Sequence, residues 1–339
     1  MAGAFEALDE NARKAHLEAV ARRALPRWDI AADAPLTLLN ISENATYRVD
    51  LPGSAEPAIL RVHRTGYHSE NGVRSELAWT QALTTDAGVA TPQAVAANDG
   101  SLIQHIDTPG LDESRMVVRF GFIPGHEPDE SALLAPFRRL GAVAARMHAH
   151  ARSWQRPDYF ERLTWDYEHS LGEAGNWGRW QDGLGLDAEA RAVLGEADAL
   201  LRTRLERFGK SPSRYGLIHA DLRLANLLES EGETRVIDFD DAGFGWFLYD
   251  LATALSFMEE RDDVAELVDA WLAGYGTVGK LDAEEVAEIP TFLMLRRLLI
   301  VAWIGSHAET DLARELGGPF TAGSVRLARR YIARFGPQT

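Results

Sequence analysis

The chain has 339 residues, of which 46% are hydrophobic and 25% are charged, a composition typical of a folded globular protein with room for two lobes. It contains no cysteine, which excludes disulfides, thiolate nucleophiles and zinc–thiolate sites. The net charge of −16 argues against a nucleic-acid partner and favours cationic small molecules, because an acidic field repels phosphate backbones. The N-terminus lacks signal-peptide features, and no apolar run approaches the roughly 20 residues that span a bilayer, so we expect a cytoplasmic protein without membrane association.

The first third of the chain predicts a leading helix followed by a small antiparallel sheet. Apolar positions recur at helical spacing over residues 10–25, and Pro26 follows them. Short β-rich runs bounded by turn residues predict strands, and one helical pattern interrupts them. The predicted strands are Leu36–Leu39, Thr46–Val49, Ala58–Val62, Leu102–His105 and Met116–Phe120, and the predicted helix is Val73–Leu83.

The rest of the chain is mainly helical in pattern. Residues 154–180 are rich in aromatic and charged side chains and predict no single element. His148 and His150 lie two residues apart on one predicted helix, so they face different sides and predict packing or capping rather than a shared metal. The predicted helices are Ser131–Ala149, Ala188–Phe208, Leu251–Phe257, Val264–Tyr275, Ala283–Ser306 and Ser324–Phe335.

Three oxygen-bearing side chains lie at a suggestive spacing in the second half of the chain. Asp221 and Asn226 follow the apolar pair Leu217–Ile218, and Asp238 ends a second apolar run. The intervening residues predict a hairpin with a turn over 229–233, which brings Asn226 and Asp238 close together. Phosphoryl transfer needs an Asp that aims the acceptor hydroxyl, and hard oxygen ligands for Mg²⁺. The spacing therefore predicts that Asp221 orients a hydroxyl while Asn226 and Asp238 bind Mg²⁺.

The order His219-x-Asp221-x-x-x-x-Asn226, then Ile237-Asp238-Phe239-Asp240, then Tyr249-Asp250-Leu251, resembles a known family. It is similar to the aminoglycoside phosphotransferase and choline kinase-like family, the small-molecule relatives of protein kinases. Within that family, the variants seen here look closer to homoserine kinase-like and hydroxylysine kinase-like members. The resemblance implies an α+β, bilobal protein kinase-like fold with a small antiparallel N-lobe sheet and a larger, mainly helical C-lobe.

The resemblance also implies a nucleotide site in the first lobe. Arg61 stands at the position of the family's phosphate-binding lysine, with His63 and Arg64 as nearby substitutes, and an exposed strand arginine is the alternative. Glu76 resembles the helix glutamate that pairs with that cation, although a solvated glutamate is the alternative. No glycine run precedes the second strand; Ser42 and Asn44 occupy that loop and either bind nucleotide or form a plain turn. Residues Phe120 to Phe122 resemble the hinge that binds adenine.

Further residues complete the site expected from the resemblance. His219 and Asp250 look structural, with Asp250 bracing the catalytic loop. Arg223 stands where protein kinases carry a lysine that contacts the transferred phosphate, and a solvent-facing arginine is equally compatible. Asp240 and Asp241 are candidates for binding a cationic acceptor, because a carboxylate pair near a metal is costly unless offset by positive charge. Asp240 is also a candidate for the metal shell.

We therefore expect an ATP- and Mg²⁺-dependent kinase that phosphorylates a hydroxyl of a small molecule, with amine-bearing molecules among the candidates. The expected organisation is a leading helix at 1–34, a nucleotide-binding N-lobe at 35–125 and a catalytic, acceptor-binding C-lobe at 126–339. Eleven residues separate Asp238 from Asp250, which leaves little platform for a peptide and favours a small acceptor. A protein Ser/Thr kinase of the same fold and a non-catalytic nucleotide-binding regulator remain alternatives; the second rests only on Arg61.

Overall fold

The computed structural model describes residues 5, 7–41, 44–108, 110–111 and 113–336. Its backbone forms two compact units, the first comprising Met1–Pro124 with Arg156–Glu161, and the second Gly125–Gln155 with Arg162–Thr339. The sequence-based division assigned every residue after 125 to one lobe, whereas the segment Arg156–Glu161 packs with the first unit. There the main-chain N of Glu161 donates to Ser75 Oγ at 2.8 Å, and the Arg74 guanidinium lies 4.1 Å from the Tyr159 ring centre.

The first unit is a five-stranded antiparallel sheet with two helices. The strand order is β1-β2-β3-β5-β4, so β3 lies at the centre with β2 and β5 as its neighbours. The predicted helix at 10–25, the five predicted strands and the helix around 73–83 are all present. Their bounds are α1 (Glu10–Ala24), β1 (Leu36–Ile41), β2 (Ala45–Val49), β3 (Ala58–Val62), α2 (Glu70–Ala87), β4 (Ile103–Asp107) and β5 (Ser114–Gly121).

Helix α2 is fixed at both ends and along one face. Ser69 Oγ accepts the main-chain N–H of Gly72 at 3.0 Å, which caps the N-terminus, and Gly88 ends the helix with a left-handed φ of 59°. Val73 and Leu77 pack on Val118 and Phe120 of β5. Because positions three and four residues apart share a helix face, this packing turns the residue at 76 toward the sheet.

The second unit is mainly helical, with a three-stranded sheet and a separate two-stranded hairpin. The strand order of the sheet is β6-β10-β7, in which β10 is parallel to β6 and antiparallel to β7. The bounds are α3 (Leu134–Ser153), β6 (Leu163–Trp165), α4 (Tyr167–Ser170), α5 (Ala188–Phe208), β7 (Tyr215–Ile218), β8 (Leu227–Ser230), β9 (Glu233–Val236), β10 (Gly243–Trp246), α6 (Phe247–Ala254), α7 (Val264–Tyr275), α8 (Ala283–Ser306) and α9 (Asp311–Phe335).

Two helices begin earlier than the sequence pattern indicates. Helix α6 starts at Phe247 rather than Leu251, directly after β10, where the main-chain N of Phe247 donates to Arg214 O at 2.9 Å. Helix α9 starts at Asp311 rather than Ser324, because Thr310 caps it and it continues across a non-helical kink at Gly317. The early start of α6 places an acidic residue, Asp250, in its first turn.

Helix α8 is long and apolar enough, by length and composition alone, to cross a membrane. In this fold 72% of its most hydrophobic window is buried inside the protein, so it forms a core element of the second unit. A capping box fixes its start: the Asp282 carboxylate accepts the main-chain N–H of Glu285, and Glu285 accepts that of Asp282, both at 2.8 Å. Two consecutive arginines, Arg296 and Arg297, are buried in its second half.

Candidate active site

The loop that carries Asp221 is held from below by a fully buried carboxylate. Asp250 accepts the main-chain N–H of Ala220 at 2.8 Å and that of His219 at 3.2 Å. Ala220 has a left-handed φ of 68°, a conformation that costs an alanine energy and persists only where neighbours hold it. A third donor, His148 Nε2, lies 2.9 Å from Asp250. Asp250 therefore binds two consecutive main-chain N–H groups of the loop that carries Asp221.

Histidine 219 ties the same loop to the strand that leads to Asp238. Its Nε2 donates to the main-chain oxygen of Ile237 at 3.1 Å, and its Nδ1 accepts the main-chain N–H of Asp221 at 3.2 Å. One neutral tautomer satisfies both contacts. The main-chain N of Leu222 donates to Thr253 Oγ1 of α6 at 2.9 Å, which anchors the other side of the loop. His219 thus has the structural position that the sequence analysis expected.

The Asp221 carboxylate is buried and lies among three donors. Its Oδ1 accepts from Arg296 Nη2 at 2.6 Å, and its Oδ2 accepts from Asn226 Nδ2 at 2.8 Å and from Arg223 Nε at 3.0 Å. Burial by itself raises the pKa of Asp221, but the charges of Arg296 and Arg223 outweigh it and hold that pKa below its ordinary value. The side chain is therefore an anionic hydrogen-bond acceptor at neutral pH.

Asn226 lies beside Asp221 with a fixed amide orientation. Nδ2 donates both to Oδ2 of Asp221 and to its main-chain oxygen, at 2.8 and 2.9 Å. Because both partners are acceptors, the nitrogen must face Asp221, and the amide oxygen faces away from it. The expected hairpin is present: Leu227 of β8 pairs with Val236 of β9, and the main-chain N of Ile237 donates to Asn226 O at 2.9 Å. Asn226 precedes β8 and Asp238 follows β9, so the hairpin joins them at one end.

The residues after Asp238 form a turn held by one arginine. Asp238 has a left-handed φ of 63°, which turns the chain sharply at the end of the hairpin. Arg162 Nε donates to the main-chain oxygen of Ala242 at 2.6 Å, and its Nη2 donates to that of Phe239 at 3.1 Å and also to that of Asp240. Asp240 is buried. Arg162 therefore fixes the path of the chain immediately after Asp238.

Asp241 contributes negative charge close to Arg296. Its main-chain oxygen accepts from Trp165 Nε1 at 2.7 Å. Burial lowers the pKa of Arg296, but Tyr249, Asp221 and the Asp241 charge together raise it, so the guanidinium stays charged. The carboxylates at 240 and 241 thus lie in a region that already contains cations, Arg162 and Arg296.

In the first unit, Arg61 and Glu76 form a buried ion pair. Arg61 Nη2 lies 2.6 Å from Oε1 and 2.7 Å from Oε2 of Glu76. The Arg61 guanidinium also lies 4.9 Å from the centre of the Phe120 ring. Arg61 is 6% exposed and Glu76 is 2% exposed, so neither the exposed strand arginine nor the solvated helix glutamate is correct. The geometry agrees with the pairing expected from the sequence.

Two of the other residues expected to bind nucleotide, Phe120 and Asn44, already have hydrogen-bond or strand partners within the first unit. Phe120 is buried and its main chain pairs with Ile59 of β3, so the strand already uses its backbone groups. Phe122 follows β5, and the Arg48 guanidinium lies 5.9 Å from its ring centre. Asn44 Oδ1 accepts the main-chain N–H of Arg64 at 3.1 Å, which closes the loop on its own unit. Ser42 lies outside the described residues.

Three residues of this site carried no motif. Arg162 lies in the stretch that predicted no element, Arg296 lies in an apolar helix, and His148 was expected only to pack or cap. His148 is fully buried, with Nδ1 3.2 Å from the Tyr275 hydroxyl and its ring stacked on Phe247. For Arg296 the available signal was a charged side chain within an apolar helix, which requires partners, whereas Arg162 carried no comparable signal.

The donor set is suited to a magnesium ion bound together with a nucleotide. Among the described residues no cluster of three His, Cys, Asp or Glu side chains forms a cage for a metal. Mg²⁺ commonly binds one or two carboxylates, keeps several waters and takes its remaining ligands from substrate phosphates. The amide oxygen of Asn226, which faces away from Asp221, and the carboxylate of Asp238 are hard oxygen donors of that kind.

An anionic Asp beside an Asn and a second Asp, on a loop braced by a helix, is the arrangement found in protein kinase-like phosphotransferases. The chain belongs to the phosphotransferase enzyme family, whose model matches residues 36–289. The family resemblance and the α+β kinase-like fold expected from the sequence are therefore confirmed.

Individual relatives agree with this membership. The structure of a microcompartment-associated aminopropanol kinase is similar, with 45% sequence identity, a TM-score of 0.87, and coverage of 94% of this chain and 98% of the other. The amicoumacin kinase of Bacillus subtilis (strain 168) is 26% identical over 308 residues, which are 88% of this chain and 87% of that protein. An amicoumacin kinase solved in complex with AMP-PNP, Ca²⁺ and Ami shares the fold, with a TM-score of 0.76, 24% identity and 96% coverage of each chain.

Proposed function

We propose that this chain transfers the γ-phosphoryl group of ATP to the hydroxyl of a small amino alcohol. The observation that carries the proposal is the Asp221 carboxylate, buried, anionic and held beside Asn226 on a loop whose conformation Asp250 fixes. An acceptor hydroxyl that donates to this carboxylate is aimed without any covalent chemistry from the protein, which is what phosphoryl transfer requires. Mg²⁺ is the expected metal.

The choice of acceptor rests on a relative and on charge. The aminopropanol kinase noted above shares 45% of its residues with this chain over almost the full length of both. An amino alcohol carries an ammonium group, and the net charge of −16 favours the approach of cations. Asp240 and Asp241 are the carboxylates that we assign to the ammonium group. The closer likeness to homoserine kinase-like and hydroxylysine kinase-like enzymes stays a prediction.

The reaction assigns one task to each group of the second unit. The acceptor oxygen forms a bond to the γ-phosphorus while the bond to the β–γ bridging oxygen breaks, and ADP leaves. The hydroxyl proton passes to Asp221 and from there to solvent. Arg223, bonded to Asp221, offers its remaining donors to the transferred phosphoryl group. Mg²⁺ held by Asn226 and Asp238 neutralises phosphate charge when it is bound.

We assign nucleotide binding to residues of the first unit. Arg61 is assigned to the phosphate oxygens, because it stands at the position of the family's phosphate-binding lysine and a planar guanidinium matches phosphate geometry. Glu76 fixes the side chain of Arg61, as its two contacts of 2.6 and 2.7 Å allow. Because β5 uses the main chain of Phe120, the adenine contacts are assigned to the main chain from Phe122 onward. Ser42 and Asn44 remain candidates for phosphate contacts through the loop backbone.

The test is ADP production by the purified chain with ATP and Mg²⁺, screened against aminopropanol, ethanolamine, choline, homoserine, hydroxylysine, aminoglycosides and sugars. Acceptor-dependent ADP release with an amino alcohol is the expected result. Asp221→Asn keeps the shape of the side chain and should abolish turnover while ATP binding persists. Asp187→Asn is the control, because Asn replaces Asp well at the N-cap of α5, where Asp187 accepts from Ala190 N.

The same screen decides between acceptor classes. Only 11 residues lie between Asp238 and Asp250, and β10 with the start of α6 occupies most of them, which leaves little chain to bind a peptide. Phosphate transfer to a protein extract, with no response to any small acceptor, would instead identify a protein Ser/Thr kinase. ATP binding without turnover across the whole panel would identify a non-catalytic regulator. A cytoplasmic location and the absence of nucleic-acid and membrane partners stay predictions.

A further inference from the structure

We propose that Arg296 is a positioning residue for phosphoryl transfer, which fixes Asp221 so that its Oδ1 receives the acceptor hydroxyl. The inference rests on the proposed function, in which Asp221 orients that hydroxyl. Arg296 lies on α8, 75 residues after Asp221 in the chain, and outside the range 36–289 that the family model matches. Arg296 is in none of the motifs that carry the family resemblance, so the geometry carries the argument.

The Arg296 guanidinium is held on several sides. Its Nη2 donates to Asp221 Oδ1 at 2.6 Å, its Nε donates to Ser256 Oγ at 2.9 Å, and its Nη1 donates to the Tyr249 hydroxyl at 3.3 Å. The Trp177 ring centre lies 5.1 Å from the guanidinium carbon. Arg296 is 3% exposed. A guanidinium fixed in this way presents Nη2 at one place, so the carboxylate that it binds is also fixed.

The acceptor positions of Asp221 decide which oxygen remains available. A carboxylate offers about four lone-pair positions, about two on each oxygen. Oδ2 already accepts from Arg223 at 3.0 Å and from Asn226 at 2.8 Å. Within the described part of the chain, Oδ1 accepts only from Arg296. The open position is therefore on Oδ1, next to the bond with Arg296, and that is where an acceptor hydroxyl donates.

Without Arg296, the carboxylate loses the contact that keeps Oδ1 in place. The contacts of Oδ2 with Arg223 and Asn226 remain, but the carboxylate can turn about them, so the open position on Oδ1 no longer points in one direction. A displacement of about 1 Å in a positioning group can cost about 100-fold in rate. The loss should appear in kcat and in the KM for the acceptor, and not in the KM for ATP, because the hydrogen-bond partners of Arg296, which are Asp221, Ser256 and Tyr249, all belong to the second unit.

The chain contains a matched control one residue away. Arg297 is also 3% exposed, and it binds Glu259 Oε2 at 2.8 Å, Ser324 Oγ at 2.8 Å and Phe320 O at 3.1 Å. It is an equally buried arginine on the same helix with comparable polar contacts, but its partners lie away from the catalytic loop. A substitution of Arg297 therefore measures what the loss of a buried arginine costs the fold.

The experiment compares Arg296→Met and Arg296→Lys with Arg297→Met and Arg297→Lys. The assays are ADP release with aminopropanol as the acceptor, ATP affinity by titration calorimetry, and thermal unfolding to establish the folded fraction. Arg296→Met should lower kcat per folded molecule by about 10- to 100-fold, with the ATP affinity changed by no more than about threefold. Arg296→Lys keeps the charge but lacks the fork, so its kcat should fall more than about threefold below that of the wild type but less than that of the Met variant.

The Arg297 variants should lose stability to a similar extent while kcat per folded molecule stays within about threefold of the wild type. If Arg296→Met does not fold, the two Lys variants decide the question. Arg296→Lys with a kcat within about threefold of the wild type overturns the proposal, as does an equal loss of kcat in the Arg297 variants. A wild-type chain with no acceptor-dependent ADP release refutes the proposed function itself, which is a separate outcome.

Discussion

The hydrogen bonds of Asp250 allow one prediction to be worked out in detail. Replacement of Asp250 by Asn keeps the size of the side chain but turns one acceptor oxygen into a donor nitrogen. In the native loop the carboxylate accepts from Ala220 N at 2.8 Å, from His219 N at 3.2 Å and from His148 Nε2 at 2.9 Å. The variant retains one oxygen, which can still accept from Ala220 N. The other two donors then face an amide nitrogen.

The cost depends on which of those two donors finds a new partner. His148 can change tautomer, because Nε2 can accept from the new amide while Nδ1–H donates to the hydroxyl of Tyr275, 3.2 Å away. The main-chain N–H of His219 has no such choice, and an unsatisfied buried donor costs about 1–3 kcal/mol. We therefore expect Asp250→Asn to lose about 2 kcal/mol of unfolding free energy. Asp250→Ala leaves all three donors without their acceptor and should lose about 4–6 kcal/mol.

The same substitution should reduce catalysis, because Ala220 has a left-handed φ of 68° that Asp250 holds. Urea unfolding gives the free energy of unfolding, and ADP release gives kcat per folded molecule. The control is Asp198→Asn, a carboxylate of the same unit that accepts from the Tyr167 hydroxyl and Trp180 Nε1, each at 2.9 Å. The control should lose stability with kcat unchanged. If Asp250→Asn loses less than about 0.5 kcal/mol, or keeps full kcat, Asp250 does not brace the loop.

Three further predictions follow from other contacts. Glu76→Gln leaves the buried charge of Arg61 without its counter-ion, so the free energy of unfolding measured in urea should fall by about 3–5 kcal/mol. The KM for ATP should rise, and an unchanged KM for ATP contradicts the nucleotide role. Arg162→Met removes three bonds to carbonyl groups after Asp238, so Mn²⁺ affinity measured with bound ADP should fall, and an unchanged affinity contradicts the role of Arg162. Burial lowers the pKa of His148 below its ordinary 6.5, so the folded state binds fewer protons than the unfolded state at acidic pH. The free energy of unfolding should therefore fall as the pH drops below 6.5, by at most about 1.4 kcal/mol per pH unit. His148→Gln should reduce this slope in urea titrations at pH 5 to 7.

Local sequence signals were sufficient for the parts of the site that are close in the chain. Asn226 and Asp238 lie at the open end of one hairpin, and its turn residues and apolar strands are visible in the sequence. Glu76 was identified by its resemblance to the family's helix glutamate, and its direction follows helical spacing because Val73 and Leu77 pack the same face of α2 on the sheet. In both cases residues close together in the chain determine the geometry, so the sequence is sufficient to predict where these side chains lie.

Contacts between distant segments were not predictable in the same way. Strand β6 has three residues and pairs with β10, about 80 residues later, in a parallel arrangement that no turn signals. Arg162 precedes that strand, and only the pairing brings it to the carbonyl groups after Asp238. The left-handed φ of Ala220 was likewise hidden, because alanine rarely adopts it and the stabilising carboxylate lies 30 residues away.

The two arginines of α8 show what the sequence of an apolar helix indicates about the residues that pack against it. Helix α8 is strongly apolar, yet Arg296 and Arg297 are both buried in its second half. A buried guanidinium is tolerated only when it is paired and hydrogen-bonded, so consecutive arginines in such a helix require two acceptor clusters on different faces. That requirement follows from sequence alone, whereas the identity of the acceptors does not, since Asp221 and Glu259 reach the helix only through the tertiary fold. Because one of those acceptors is the carboxylate proposed to orient the substrate, the core packing of α8 and the geometry of catalysis depend on the same ion pair.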